Sequence, residues 1–475
     1  MDQPRTHTLA LSIMMFLQFF LWGAWFVTLG TFMKTLGMGG DRGGTWIGNA
    51  YSAAPIAAIV APFFLGVVAD RFFASQRVMG VLHLVGGLLL LALPAVAARS
   101  IENPLPFVGV LLLHMLCYMP TLGLSNTVAF NCMTNPEKQF PLIRVWGTIG
   151  WIVAGLVLGF VAARMFPFSQ FVGAHGISLA DFESAQAAMA AKQSVAADLM
   201  EKVHGVIADT QTARNGSPVF FYVGGLSGVV LGLFCFALPN TPPPMKGRPV
   251  DVGAILGRDA LGLLRDRSYL VFIVSSLLVC IPLAAYYALA GPYVQDFFEA
   301  IAKVSGQVRS VPVTMSYGQM SEIIFMLVMP LFFARLGVKW MLAVGMLAWV
   351  VRYGLFAAAA GHQGFSDDLK WMVLAGIILH GICYDFFFVT GQIYTERKAK
   401  PEIRAQAQGF LVLITQGVGM LIGNQVIGRL KDKVTAGQQV DWHTFWMAPA
   451  IFALLVLVLF VALFREKKQE PQPAC

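Results

Sequence analysis

The stretch Phe140-Pro141-Leu142-Ile143-Arg144-Val145-Trp146-Gly147-Thr148-Ile149-Gly150-Trp151 opens an apolar run that continues to about Val161. Arg144, Thr148 and Trp151 stand at i, i+4 and i+7, so a helix carries a cation, a hydroxyl and an indole on one face. An arginine facing lipid near the centre of a membrane costs at least ~2.5 kcal/mol, so it normally faces protein or water. Near a helix end it can instead snorkel to the headgroups. The face reads as one wall of a polar cavity inside a membrane bundle, with snorkelling as the alternative for Arg144.

The composition supplies the bundle. Of 475 residues, 57% are hydrophobic and 12% charged, with a mean hydropathy of +0.69. Soluble domains carry about 25% charged residues. Glycine (47) and phenylalanine (37) are abundant, as packed membrane helices require. The chain is predicted to be an all-α polytopic membrane protein. Its net charge of +8 is then a topology signal, and no basic tract is long enough for nucleic acid. The six cysteines form no CxxC pair, and the eight histidines show no metal-ligand spacing. No metal or cofactor is expected. The first hydrophobic stretch, about Leu9–Phe32, is too long for a signal peptide and reads as an uncleaved first helix.

Windows able to cross ~30 Å of hydrocarbon fall near 8–33, 46–69, 78–98, 105–130, 141–164, 218–238, 268–293, 311–334, 338–360, 371–395, 404–428 and 443–464. Six of these precede the polar stretch Asn240–Arg267, which opens Thr241-Pro242-Pro243-Pro244, and six come after it. The division expected is an N-terminal six-helix bundle, 1–239, a linker, 240–267, and a C-terminal six-helix bundle, 268–475. With the N-terminus inside, the inner segments hold about 18 Lys and Arg and the short outer loops about 9. Both termini and the linker are thus expected in the cytoplasm, and residues 166–217, an insertion in the first half, outside. Pro136-Glu137 before Ile143-Arg144 and Pro401-Glu402 before Ile403-Arg404 hint at repeated halves. Within 166–217, Ser178-Leu179-Ala180-Asp181 has the form of a capping box, and an alanine-rich stretch to about Ile207 reads as one amphipathic helix.

After the second window comes Gly66-Val67-Val68-Ala69-Asp70-Arg71-Phe72-Phe73, with Arg77 shortly beyond. This resembles the loop signature of the major facilitator superfamily, although Phe73 stands where a second glycine is usual. Gly66, Asp70, Arg71 and Arg77 are the gating-loop candidates; an ordinary positively charged inner loop is the alternative.

The eighth window contains Gln319 and Glu322, three apart and on one face. The tenth contains His380, Tyr384 and Asp385. A carboxyl group deep in a membrane is costly when ionised and so can carry a proton. Buried hydrogen bonds or a static ion pair are the structural alternatives. At ~1.5 Å rise per residue, Trp151, Gln319, Glu322 and His380 fall near the midplane, where transporter ligands bind between repeats. Arg144 and Asp385 lie deeper toward the cytoplasm, suited to an inner gate or a proton path. Arg352, on the ninth helix, reads as structural.

Phe19–Gly30 (FFLWGAWFVTLG), Tyr118–Leu124 (YMPTLGL), Phe140–Gly150 (FPLIRVWGTIG), Gln319–Glu322 (QMSE), Tyr384–Phe387 (YDFF) and Ile403–Gly409 (IRAQAQG) resemble the nucleoside:proton symporters of the major facilitator superfamily. The resemblance implies twelve transmembrane helices in two six-helix bundles around a central cavity. It also implies proton-driven nucleoside uptake by alternating access, in a bacterial inner membrane and without enzymatic chemistry. The partners expected are a small-molecule substrate, protons and the lipid bilayer, with the chain a monomer. Carried onto matching positions, it gives Arg144, Thr148, Trp151, Gln319, Glu322, His380 and Tyr384 as substrate-binding residues and Glu322 and Asp385 as proton-coupling residues. Helix 7 departs from the family: its glutamine and asparagine fall near Leu283 and Tyr286, in the run Ile281-Pro282-Leu283-Ala284-Ala285-Tyr286-Tyr287. His380 and Tyr384 stand where tyrosine and phenylalanine are typical. These differences leave a sugar-derivative transporter or a drug exporter of the same fold as alternatives.

Overall fold

The computed structural model describes residues 4–65, 71–133, 136–243, 253, 258, 260–361, 364–437 and 439–465. Among these, eleven helical segments are long and apolar enough to cross a membrane. One of them, Val311–Ala360, breaks at Gly337, where φ is 65° and ψ −178°. A left-handed φ is strained for any residue with a Cβ, so the break sits on glycine. It makes two spans of one segment and brings the total to twelve.

The first span is Pro4–Trp25 continued, after a turn, by Leu29–Thr35. The next five are Gly43–Phe64, Ser75–Ala97, Leu105–Asn131, Pro136–Met165 and Val219–Cys235. Arg267–Ser305 is the seventh, and the eighth and ninth meet at Gly337. The tenth runs from Lys370 to Lys398 and the eleventh from Arg404 to Lys433; each contains a π-helical turn, Asp385–Val389 and Leu413–Gly419. Trp442–Leu463 is the twelfth. Of the expected linker, only 240–243, 253, 258 and 260–267 are among the described residues.

Within the first six spans, the first packs on the fifth, and the third on the fourth and sixth. Buried polar groups fix this arrangement. Gln18 donates to the Thr121 hydroxyl at 2.7 Å, its other end meets His83 at 2.8 Å, and Tyr118 donates to the Gln18 carbonyl at 2.7 Å. Such groups are costly in hydrocarbon unless paired.

The two sets of six spans meet along the second and eleventh, the fifth and eighth, and the first and seventh. Small residues allow the approach: a Cβ at Gly291 would lie 2.9 Å from the Val27 carbonyl oxygen. On one face the meeting is sealed by polar contacts. Asp432 accepts from the Gly44 and Thr45 amides at 2.6 and 2.8 Å and from the Thr45 hydroxyl at 2.5 Å. A side chain of the eleventh span thus satisfies amides at the start of the second, which a helix leaves without internal acceptors. Gln425 donates to Asn49 and Ser52 at 2.9 and 3.0 Å. Lys34 pairs with Asp296, which also accepts from the Trp442 indole at 2.8 Å.

The insertion adds to the same face, as two helices and not the single one expected. Ser178 caps Leu179–Ala190 as its sequence predicts, accepting from the Asp181 amide at 3.1 Å. That helix then ends: Lys192 takes a left-handed φ of 57°, and the Gln193 amide returns to the Ala188 carbonyl at 2.9 Å, a Schellman-type stop. The second helix, Ala197–Asn215, leads into the sixth span. Its buried Gln211 and Asn215 amides bond the backbone of Arg309 and Val311, where the eighth span begins, at 2.7 to 3.0 Å.

Removing an N-terminal cap costs about 0.5–2 kcal/mol, and here the cost falls on the sealed form. Asp432→Ala is expected to raise labelling of a cysteine placed at Asn49 by a bulky impermeant thiol reagent, by roughly 2- to 30-fold. Stopped labelling followed by mass spectrometry measures this.

Candidate functional site

Below the sealed face lies a cavity of about 370 Å³ between the two sets of spans. All seven residues singled out as substrate-binding line it: Arg144, Thr148, Trp151, Gln319, Glu322, His380 and Tyr384. The i, i+4, i+7 spacing of the fifth span does put its three polar or aromatic side chains on one wall. The Arg144 guanidinium lies 4.2 Å from the centroid of the Phe19 ring. It therefore rests on an aromatic face of the first span inside the cavity.

The opposite wall is built by spans 8 and 10. The Ser321 hydroxyl donates to the Ile378 carbonyl at 2.7 Å and accepts from the Gly381 amide at 3.2 Å. This crosslink brings Glu322 beside His380, with Oε2 3.9 Å from Nε2. Gly318 leaves room for the tenth span, since a Cβ there would lie 3.2 Å from the His380 Cβ. Tyr384 sits below His380, ring centroids 6.0 Å apart.

Asp385 is not in the lining. It is fully buried at the start of the π-helical turn, and neither carboxylate oxygen has a hydrogen-bond partner among the described residues. No ion pair joins it to Arg144 or Arg352 among those residues. π-turns inside helices occur often at functional sites, and the second one, in span 11, carries Gln416 into the cavity.

Most of the wall lies outside those seven residues. Phe19, Trp22 and Phe26 of the first span, Tyr51 of the second and Tyr287 of the seventh line the cavity. Trp22 packs edge-on against Trp151 at 5.3 Å, and Phe26 against Tyr51 and Tyr287 at 5.1 and 5.7 Å. Tyr51 donates to the Phe26 carbonyl at 2.6 Å, which locks this aromatic layer under the sealed face. The density of aromatics in Phe19–Phe26 was the available signal.

Helix 7 differs from expectation in phase. Leu283 is 1% exposed and outside the lining, and Tyr286 lies behind His380. Only Tyr287 reaches the cavity. Of the gating-loop candidates, Gly66 and Asp70 lie outside the described residues. Arg71 is half-buried, and Arg77 is exposed in the first turn of Ser75–Ala97.

A profile of the nucleoside H+ symporter family matches residues 6–182 and 206–469, and the gap between the two matches lies within the insertion. The chain is 35% identical over 469 residues to YegT of Escherichia coli, a transporter provisionally named for nucleosides, covering 98% of this chain and 95% of that one. It is 29% identical over 468 residues to the nucleoside permease NupG of Escherichia coli, covering 97% and 96%. A crystal structure of a mutant of the nucleoside transporter NupG superposes with a TM-score of 0.77 at 28% identity, covering 96% of this chain and 100% of that one.

The cavity extends to Ala61, Leu65 and Val412, away from the sealed face. A cysteine replacing Ala61 or Gln416 is expected to react with a small thiol reagent supplied from the side of the 71–75 segment, and not from the side of Asp432. Two-sided labelling in oriented vesicles measures this.

Proposed function

The chain belongs to the nucleoside H+ symporter family, and from that premise we propose how its cavity binds solute and couples to protons. The protein is a polytopic membrane transporter of the major facilitator fold. It carries nucleosides or a related hydroxylated solute with protons, by alternating access.

The reading assigns solute binding to Arg144, Thr148, Trp151, Gln319, Glu322, His380 and Tyr384. The observation that carries it is their convergence on one cavity between the two sets of spans. Trp151 and Tyr384 offer ring faces to a base, and such stacking contributes ~1–3 kcal/mol. Gln319, Glu322 and Arg144 supply the acceptor and donor edges that fix its orientation. An ionised Glu322 would be sealed among apolar rings each time the cavity closes, which is costly in hydrocarbon. Binding a proton removes that cost, so closure is tied to the loading of solute and proton together. Asp385, buried one position beyond Tyr384, is the second proton-carrying group in this reading. Gly66, Asp70, Arg71 and Arg77 form the gating loop.

The two six-helix bundles, 1–239 and 268–475, rock about the seams between them. The Lys and Arg asymmetry supports both termini and the 240–267 linker in the cytoplasm of a bacterial cell, with the protein in the inner membrane. In that orientation the sealed face is external and the cavity faces inward. The chain acts as a monomer and has no nucleic-acid partner.

Glu322→Gln is expected to abolish accumulation driven by an inward proton gradient while keeping solute counterflow, because a permanently neutral side chain still binds solute. Asp385→Asn is expected to act in the same direction. Radiolabelled nucleoside uptake into proteoliposomes measures both, and undiminished accumulation in both variants refutes the assignment. Trp151→Ala is expected to weaken nucleoside binding roughly ten- to a hundredfold, the loss of one stacking face, as read by calorimetry.

A further inference from the structure

Arg352, Tyr286 and His380 form a buried column that reaches the cavity only at its last member. The Arg352 guanidinium lies 3.9 Å from the Tyr286 ring centroid, and that ring stacks on His380 at 5.2 Å with 20° between planes. Arg352 and Tyr286 are 0% and 1% exposed, and neither lines the cavity. Arg352 donates through Nε to the Gly376 carbonyl at 2.8 Å and forms no ion pair among the described residues. A guanidinium without a counter-ion is an expensive group to keep in hydrocarbon, and a leucine would fill a packing role at lower cost. Here the ring faces the cation and the cation holds the ring.

The same ring holds the imidazole. Tyr287 closes on it edge-on at 6.4 Å, and Gly318 brings the eighth span close to both, a Cβ there lying 3.2 Å from His380 Cβ and 3.3 Å from the Tyr286 hydroxyl. His380 Nδ1 is buried and has no hydrogen-bond partner among the described residues, while Nε2 points at Glu322, 3.9 Å away. A neutral imidazole has one donor and one acceptor nitrogen. Nε2 faces a carboxylate, which repels a lone pair and attracts an N–H, and this puts the hydrogen on Nε2. The distance to Glu322 is too long for a direct hydrogen bond. A hydroxyl lying beside both can accept from Nε2–H and donate to a Glu322 carboxyl oxygen, protonated or not, and no ether or carbonyl oxygen can donate.

We propose that Arg352 and Tyr286 are positioning residues that hold His380 with Nε2 turned to Glu322, and that His380 and Glu322 together read one hydroxyl group of the solute. This deepens the reading of the cavity given above and rests on it. A sugar ring bearing a free hydroxyl at this point is preferred over its deoxy analogue, because the analogue leaves the buried donor and acceptor unmatched.

The test uses the full-length purified transporter with uridine, 2′-deoxyuridine and 3′-deoxyuridine as calorimetric ligands, and ¹⁵N-histidine NMR of the same samples. In the wild type one of the two deoxy analogues is expected to bind at least roughly tenfold more weakly than uridine, and His380 to show a single Nε2–H tautomer. Tyr286→Leu removes the stacking face and is expected to erase that discrimination and mix the tautomers. Tyr286→Phe keeps the face and is expected to retain both. Arg352→Lys, which loses the flat cation, is expected to fall between them. Wild-type discrimination and a single tautomer persisting in Tyr286→Leu overturn the proposal, as does a wild type that shows both tautomers. Failure of the wild type to bind any of the three ligands counts against the nucleoside reading, and the tautomer comparison still decides the column.

Discussion

The carboxylate of Asp432 against the first amides of the second span is the contact on which the closed face depends. A helix begins with N–H groups that have no acceptor within it. In the second span those groups are answered from the other half of the molecule. Closure is therefore tied to the completion of a helix terminus. When the halves part, water must replace the carboxylate. The exchange is small in free energy because water also bonds amides well, which suits a contact that has to form and break in every cycle. The glycine seams beneath it act differently: they supply close van der Waals approach but bind nothing that must be replaced.

Below that contact, the cavity is asymmetric in chemistry. Its upper layer, Phe26, Tyr51 and Tyr287, is aromatic and interlocked. Its walls alternate ring faces with a few polar groups, Arg144 on one side and Gln319 and Glu322 on the other. A flat solute can slide along rings with little directional preference, whereas the polar groups demand one orientation. Binding strength and selectivity are thus carried by different atoms. The insertion helix holds the same closed face through Gln211 and Asn215, which grip backbone and not side chains. Its grip is indifferent to what the eighth span carries at those positions.

The spans were legible in the sequence because hydrocarbon thickness sets their length, and Arg144, Thr148 and Trp151 because polar residues inside a membrane are rare enough for spacing to be informative. Gln319, Glu322 and His380 stood out for the same reason. Trp22, Phe26 and Tyr51 did not, since an aromatic side chain facing a cavity and one facing lipid look alike in sequence. Helix 7 shows the limit of matching by position. The resemblance put the family's polar pair near Leu283 and Tyr286, yet the helix turns Tyr287 inward and stacks Tyr286 on His380. The break in the insertion was also hidden, because Lys192 is not a residue that announces a left-handed cap. Arg352 read as structural from its place on the ninth span, and its orientation toward Tyr286 is set by tertiary packing alone.

Spans 8 and 9 are joined at one glycine, Gly337, with no loop between them. Most connections between membrane helices can lose or gain a residue without consequence, since slack absorbs the change. This one has no slack. Each residue added to a helix turns the next stretch of that helix by about 100°, so a single insertion in the first turn of span 9 would rotate the rest of that span about its axis relative to the elbow. Arg352 would swing away from Tyr286 and toward lipid or another neighbour. The alignment of a side chain deep in the membrane is thus written in the length of a surface elbow, and chain length at that point is as much a determinant of the site as any residue inside it.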